Sequence, residues 1–152
     1  MTKNITELIK KTAQKILNHL EIEATPKIKI EDNSIYYLNI KTTDPGVLIG
    51  YHGENLYSLQ LILSLIIYKK TGSWQKILVD VGEYRQKRTE ALKKIALNAA
   101  QKVKFTDESL ALPYLNSAER RIVHLALADH PEVTTESQGE GPSRRLIVKI
   151  KE

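Results

Sequence analysis

The spacing of apolar positions changes several times along the first 82 residues. Over residues 3–20 the apolar side chains recur at intervals of three and four, with lysines opposite them, which predicts an amphipathic helix. Residues 27–31 alternate strictly between polar and apolar side chains, and the turn residues Asp32, Asn33 and Ser34 separate them from a second predicted strand at 35–41. The pattern therefore predicts a β-hairpin after the first helix.

A long apolar segment follows the hairpin. Pro45 is well placed to begin a short helix, and residues 54–70 then predict a helix that is apolar nearly all round, ended by Thr71 and Gly72. We interpret it as a buried core helix, with docking of one face on another protein as the alternative. Its most apolar run, 59–68, is too short to span a membrane, which takes roughly twenty residues. Residues 76–81 predict a third strand.

A glycine turn lies between the short helix and the long one, as Gly50-Tyr51-His52-Gly53. Two glycines allow a tight turn that side chains would obstruct. A helix that begins just after Gly53 directs its free amide groups at the turn, which favours a phosphate there. Tyr51 and His52 are expected to touch sugar-phosphate or stack, and the apolar residues 47–49 either receive bases or belong to the core. The predicted contacts here are Gly50, Tyr51, His52, Gly53 and Asn55.

Basic residues concentrate in the middle of the chain. The whole sequence of 152 residues carries a net charge of +5, and residues 83–104, which predict one long helix, hold much of the excess of lysine and arginine over acidic residues. A solvated helix face is one interpretation, and an electrostatic track for a phosphate backbone is the other. Arg85 and Arg88 are the predicted contacts on this helix.

A second group of candidate contacts follows in residues 105–152. A short strand is predicted at 109–112, a helix from Asn116 to about Ala128, and strands at 133–136 and 144–151. Asn116 and Glu119 have the spacing of a reciprocal helix cap. Four positions separate Arg120 from His124, so they share a helix face and together suit a phosphate or a base. A chance surface pair is the alternative. The predicted contacts are Arg120, Arg121, His124, Arg144 and Arg145.

The element order over residues 1–82, with its glycine turn, resembles a type II KH domain. Residues 116–124 and 136–145 are similar to the single-strand-binding domain named for its Arg-xxx-His motif. Together with Val79-Asp80-Val81 and the segment 84–88, nearly the whole chain resembles the bacterial Jag family, also called SpoIIIJ-associated or KhpB proteins.

This resemblance implies an α+β chain with three parts. A KH domain at 1–82, with a three-stranded sheet and helices on one face, is joined by a linker helix at 83–104 to a small α/β domain of the Arg-xxx-His type at 105–152. It implies single-stranded RNA as the partner, which the KH cleft would clamp, and a role as an RNA chaperone or post-transcriptional regulator linked to cell envelope or division control. Single-stranded DNA, pairing with another small KH protein, and a homodimer remain open.

Two departures from the family pattern qualify these expectations. Family members commonly carry a further N-terminal domain, for which this chain has no room, so roles attached to that domain are not expected. The glycine turn holds Tyr51 and His52 where KH turns often hold a basic residue. We therefore predict that affinity rises below about pH 6.5, where an imidazole gains its charge, through His52 and His124.

Composition limits the remaining functional classes. The chain has no cysteine, which excludes disulfides and thiolate metal sites and fits a reducing, cytoplasmic location. His124 could act as a general base with Glu119 or Asp129 as its orienter, but no nucleophile, phosphate-binding or metal motif supports an enzyme. His19 and His130 lack metal-binding neighbours. We expect a non-catalytic protein with no cofactor, no metal and no integral membrane association.

Overall fold

The computed structural model describes residues 2–31 and 35–151, so the predicted turn at Asp32, Asn33 and Ser34 lies outside the described residues. The chain divides into two compact units, the first up to Arg85 and the second from Gln86 onward. Both combine helices with a three-stranded sheet, so the predicted α+β class is confirmed. Within the described residues, no helix is long and apolar enough to cross a membrane.

The first unit has the predicted element order. Its elements are α1 (Thr2–His19), β1 (Ala24–Glu31), β2 (Ile35–Thr42), α2 (Pro45–Ile49), α3 (Glu54–Thr71) and β3 (Ile77–Val81). The sheet order is β1-β2-β3, with β1 antiparallel and β3 parallel to β2. The parallel pair requires a crossover, and the connection from β2 through α2 and α3 supplies it.

The core of the first unit lies between helices α1 and α3 and one face of this sheet. Alternate residues of β2, namely Tyr36, Leu38 and Ile40, are buried there. Because side chains alternate across a strand, Tyr37, Asn39 and Lys41 lie on the opposite face. Every second side chain of β2 therefore lies on the face of the sheet that is away from the core.

Helix α3 is a core helix on one face only. Leu59, Leu63 and Ile67 are buried against the sheet, but Leu61, Ile62 and Leu65 are 58%, 50% and 47% exposed. The interpretation as a buried core helix therefore holds for part of α3, because the sheet and the neighbouring helices α1 and α2 cover only part of its surface. An apolar face therefore remains uncovered within the described part of this chain.

The second unit is built around the long helix. Its elements are α4 (Tyr84–Thr106, which begins in the first unit), β4 (Leu110–Ala111), α5 (Ser117–Leu127), β5 (Val133–Gln138) and β6 (Arg145–Ile150). The strands form an antiparallel sheet in the order β4-β6-β5. Leu92 and Val103 of α4 are fully buried in the core of this unit. Residues 86–106 therefore belong to the packed second unit, whereas the division at 82 and 104 remains a prediction from sequence.

Candidate nucleic-acid interface

The start of α5 is fixed by the predicted reciprocal cap. The Asn116 side chain accepts a hydrogen bond from the Glu119 backbone N–H at 2.9 Å, and the Glu119 carboxylate accepts one from the Asn116 N–H at 3.1 Å. Glu119 is 3% exposed, and its other oxygen accepts a hydrogen bond from Nε of Arg88 at 2.7 Å. Arg88, a predicted nucleic-acid contact, thus compensates a buried carboxylate at the helix start.

An open cleft of about 380 Å³ lies between α5, β5 and the start of β6. We call it the helix cleft. It brings together most of the basic residues predicted for this half of the chain. Its lining consists of Ser117, Arg120, Arg121, His124, Thr135, Ser137, Arg144 and Leu146. Guanidinium groups, an imidazole and hydroxyl groups in one concave surface provide the donors that bind phosphate and base edges.

Two of the lining side chains are held by the protein itself. Nη1 of Arg120 donates to the Leu115 carbonyl at 2.7 Å, which fixes one edge of the guanidinium. Nδ1 of His124 lies 2.6 Å from Oγ1 of Thr135, which orients the imidazole from β5. Arg121 and Arg144 are exposed. The cleft therefore combines preoriented groups with exposed charged ones.

Arg145 is not among the residues that line the helix cleft. Its Nη1 donates to the carbonyls of Pro142 at 2.7 Å and of Arg144 at 3.0 Å, and its guanidinium carbon lies 5.7 Å from the Tyr114 ring centroid. Thr135 and Ser137 also line the helix cleft but were not predicted as contacts from the sequence. Their spacing of two along β5 places both on one face, and this signal could have found them.

The glycine turn has an unusual backbone, as predicted. Gly50 has φ 69° and ψ −172°, a region open in practice to glycine alone. Gly53 has φ 84° and precedes α3 without a side chain to cap it. His52, between them, also has a positive φ of 51°. No side chain caps the start of α3, and the Glu54 N–H donates to the Tyr51 carbonyl within the turn. The turn therefore leads directly into the positive end of the α3 dipole, which favours an anion.

The two glycines meet neighbouring side chains closely. A Cβ on Gly53 would lie 3.0 Å from Cε1 of Tyr84 and 3.3 Å from Cε2 of Tyr57, and Gly53 is buried. A Cβ on Gly50 would lie 2.5 Å from Cγ of Asn55. Asn55, a predicted contact, donates from Nδ2 to the Val47 carbonyl at 2.8 Å. Close packing inside the protein accounts for both glycines, and Asn55 stabilises the turn.

The outward side chains of the turn are those of Tyr51 and His52. Tyr51 is 65% exposed, and the two ring centroids are 4.1 Å apart. Of the apolar residues before the turn, Leu48 is buried in the core, whereas Val47 is 54% exposed. An aromatic pair beside an exposed valine is a surface on which a base can stack.

Arg85 has a role within the first unit. Nε donates to the Val79 carbonyl at 2.8 Å, a second nitrogen donates to Oε1 of Gln60 at 2.9 Å, and the guanidinium lies 5.0 Å from the Tyr57 ring centroid. Gln60 also accepts from the Val79 N–H at 2.9 Å. Arg85 and Gln60 together form hydrogen bonds with the carbonyl and the N–H of Val79 at the outer edge of β3. Arg85, which was predicted as a phosphate contact, therefore stabilises a sheet edge.

Comparison with known proteins defines the class. Residues 6–81 match the family model described as "KhpA/KhpB, KH domain", and residues 90–149 match the model of the domain named for its Arg-xxx-His motif. A KH domain followed by an Arg-xxx-His domain is thus the arrangement of this chain. Within the described residues, no group of three or more His, Cys, Asp or Glu side chains could hold a metal ion.

The relatives carry one name. Proteins named "RNA-binding protein KhpB" are 41% identical over 75% of this chain in Clostridium symbiosum, 33% over 86% in Lactiplantibacillus plantarum and 34% over 70% in Bacillus subtilis. These matches cover 51%, 41% and 52% of the relatives' own lengths, so the chain spans about half the length of the curated relatives it matches. The chain belongs to the KhpB (Jag) family, which confirms the resemblance seen in the sequence.

Proposed function

We propose that this protein binds single-stranded nucleic acid, RNA in the first place, and does not alter it covalently. The observation that carries the proposal is the convergence of Arg120, Arg121, His124 and Arg144 with hydroxyl groups in the helix cleft. The relatives' printed name, RNA-binding protein, supports RNA as the ligand.

The glycine turn supplies the second contact in this proposal. The start of α3, which no side chain caps, attracts a phosphate through the helix dipole, and the exposed ring of Tyr51 stacks on a base. Two modest sites on one chain raise the effective affinity because the second binding event becomes intramolecular. The proposal includes the cytoplasmic location and the role as an RNA chaperone or post-transcriptional regulator of envelope or division functions that the resemblance implies.

Binding of short labelled oligoribonucleotides and the matching oligodeoxyribonucleotides, followed by fluorescence anisotropy, tests this function. The variant Arg121→Ala/Arg144→Ala removes two exposed charges from the helix cleft, whereas Lys93→Ala/Lys94→Ala removes two exposed charges outside its lining. We expect the first variant to weaken RNA binding roughly tenfold or more and the second to have a much smaller effect. Equal effects of the two variants, or no binding by the wild type, would refute the proposal.

The glycine turn needs a variant that leaves its packing intact. Gly53 is unsuitable because Tyr57 and Tyr84 occupy the space around it. The double variant Tyr51→Asp/His52→Asp instead places two negative charges on the outward side chains, and Asp tolerates the positive φ at position 52. Weaker RNA binding with an unchanged melting temperature is the expected result, and unchanged affinity would remove the turn from the interface.

A second candidate function is pairing with another KH domain, either a second copy of this one or that of another protein. Leu61, Ile62 and Leu65 give α3 an exposed apolar face, with Tyr57 and Tyr68 each 39% exposed nearby. Large exposed apolar patches are typical of protein interfaces. Light scattering across a concentration series should show self-association that Leu61→Glu/Leu65→Glu abolishes. A wild type that stays monomeric alone and with a second KH protein would exclude this role.

A further inference from the structure

The face of the first unit's sheet that lies away from the helices has a cleft of its own, with a volume of about 310 Å³. We call it the sheet cleft. It lies on strands β1 and β2 and uses neither the glycine turn nor the helix cleft. Its lining consists of Lys27, Lys29, Glu31, Tyr37, Asn39 and Lys41.

The strand register places the lysines of the sheet cleft on one face of the sheet, along Tyr37 and Asn39. Lys29 lies directly opposite Tyr37, and Lys27 lies directly opposite Asn39. Lys41 comes two residues after Asn39 on the same face of β2. Directly opposed residues have Cβ atoms about 5 Å apart and diagonal ones about 7 Å. Three ammonium groups can therefore reach the space around Tyr37 and Asn39.

These lysines have a positive charge that the described part of the chain leaves uncompensated. The side chains of Lys27, Lys29 and Lys41 form no ion pair or hydrogen bond among residues 2–31 and 35–151. Glu31 is the one acidic residue in the lining of the sheet cleft. Three lysines with a single acidic residue on one concave surface give it an excess of positive charge, which suits a polyanionic ligand.

Tyr37 is held as a fixed, neutral ring. Its hydroxyl donates to Oδ2 of Asp80 at 2.7 Å, and Asp80 is 2% exposed. The other Asp80 oxygen accepts from the backbone N–H groups of Val81 at 2.9 Å and Arg85 at 3.2 Å. The hydroxyl is therefore already used, and what the ring offers a ligand is its π-face. A fixed aromatic ring beside lysines is how proteins stack the bases of a single strand while neutralising its phosphates.

Asn39 adds an unused acceptor. Its Oδ1 is buried and has no hydrogen-bond partner among the described residues. An unsatisfied buried carbonyl costs free energy, so it calls for an explanation. Asn39 lines the sheet cleft, and its amide carries both an acceptor and donors, which suit a base edge. An amide next to an aromatic platform favours a nucleobase over an acidic peptide as the occupant.

We infer that the sheet cleft is an additional contact surface for single-stranded RNA, in which a base stacks on Tyr37 and phosphates contact Lys27, Lys29 and Lys41. The inference rests on the proposed function for the class of ligand, but it concerns residues that the proposed function does not use. A strand bound there engages the sheet of the first unit on the side opposite its core helices.

The test is a charge-matched comparison in the full chain, with anisotropy of a fluorescein-labelled oligouridine. Lys27→Gln/Lys29→Gln/Lys41→Gln removes three charges from the sheet cleft, and Lys10→Gln/Lys15→Gln/Lys70→Gln removes three exposed charges elsewhere in the same unit. We expect the sheet-cleft variant to bind roughly tenfold more weakly or worse, and its plot of log affinity against log salt to become shallower by about 2. Equal affinities and salt slopes for the two triple variants overturn the inference.

A second pair of variants separates stacking from a structural effect. Tyr37→Leu removes the ring and Tyr37→Phe retains it while losing the hydroxyl, so both disturb Asp80 but only one removes the platform. We expect Tyr37→Leu to weaken binding several-fold relative to Tyr37→Phe, and equal binding by the two contradicts stacking.

Failure of the inference about the sheet cleft can be distinguished from failure of the proposed function. If the wild type binds RNA and all sheet-cleft variants bind it equally well, the inference fails while the proposed function stands. If the wild type binds no RNA, both fail. If the triple variant loses binding of a labelled polyglutamate peptide but keeps that of RNA, the sheet cleft is a site for an acidic protein and the inference is overturned.

Discussion

Replacement of Gly53 by alanine tests whether this glycine serves the fold of the first unit. The residue has φ 84°, and an added Cβ would lie 3.0 Å from Cε1 of Tyr84 and 3.3 Å from Cε2 of Tyr57. A left-handed conformation costs a residue with a Cβ about 1–2 kcal/mol. Forcing a methyl group into a packed site costs about 1–3 kcal/mol more. We therefore expect Gly53→Ala to lower the free energy of unfolding by about 2–5 kcal/mol.

The chain offers a matched control. Gly72 has φ 72° at the end of α3, and a Cβ there would meet nothing within 4 Å. Gly72→Ala should therefore show the backbone cost alone, about 1–2 kcal/mol. The difference between the two variants then measures the contact of Gly53 with the tyrosines, free of the backbone term that they share.

Urea unfolding followed by tryptophan fluorescence is a suitable assay, because the single tryptophan, Trp74, lies in the first unit and stacks on Tyr68 with ring centroids 4.5 Å apart. In a unit of this size, each kcal/mol also lowers the melting temperature by about 4–8 °C. If Gly53→Ala is no less stable than Gly72→Ala, the packing explanation is wrong. Contact of Gly53 with the ligand, as predicted from the sequence, then becomes the explanation for this glycine.

Three further predictions concern charge. Glu119→Ala should destabilise the second unit by about 2–4 kcal/mol, since it removes the carboxylate half of the reciprocal cap and the ion pair with Arg88. Circular dichroism of Arg88→Ala/Glu119→Ala should show a smaller loss than the two single changes summed. Burial, helped by the hydrogen bond to Asp80, raises the pKa of Tyr37 to about 12 from its usual 10.0. The folded state then retains a proton that the unfolded state loses, so the free energy of unfolding should fall as pH rises from about 10 to about 12. The loss should be well under about 3 kcal/mol, because the group is partly exposed. A Tyr37→Phe variant with the same alkaline dependence would contradict this. Removal of the two candidate imidazoles in His52→Gln/His124→Gln should weaken RNA binding in fluorescence anisotropy, and an affinity equal to that of the wild type would remove both side chains from the interface.

Local signals in the sequence predicted much of the fold correctly. The helix cap at Asn116, the end of α3 at Gly72 and the start of α2 at Pro45 each depend on residues within a few positions, and the structure contains all three. The exposed face of α3 could not be predicted in this way. A helix that is apolar on every side has no periodicity to show which side the sheet covers, and only the tertiary arrangement decides it.

The basic residues show the same limit more sharply. Arg85, Arg88 and Arg145 have the residue type and spacing of phosphate contacts, yet each guanidinium is bonded within the protein and none lines the helix cleft. Arg120 is also bonded within the protein, to the Leu115 carbonyl, but it lines that cleft. The partners Val79 and Glu119 lie 6 and 31 positions away from Arg85 and Arg88, and only the folded chain shows that these groups meet. The lysines of β1, by contrast, were not predicted as contacts, because alternation of lysines with apolar residues is typical of any half-buried strand.

Some basic side chains are bonded within the protein and others line the two clefts. The salt dependence of RNA binding therefore shows how many of them contact phosphates. Each phosphate contact with a single strand contributes about −0.7 to the slope of log affinity against log salt. The helix cleft holds three arginines, Arg120, Arg121 and Arg144, so it alone predicts a slope of about −2. The lysines of the sheet cleft add about −2 if they also bind, for a total of about −4. If Arg85, Arg88 and Arg145 were phosphate contacts instead, their single alanine variants would each make the slope shallower, and we expect them to leave it unchanged while lowering the melting temperature.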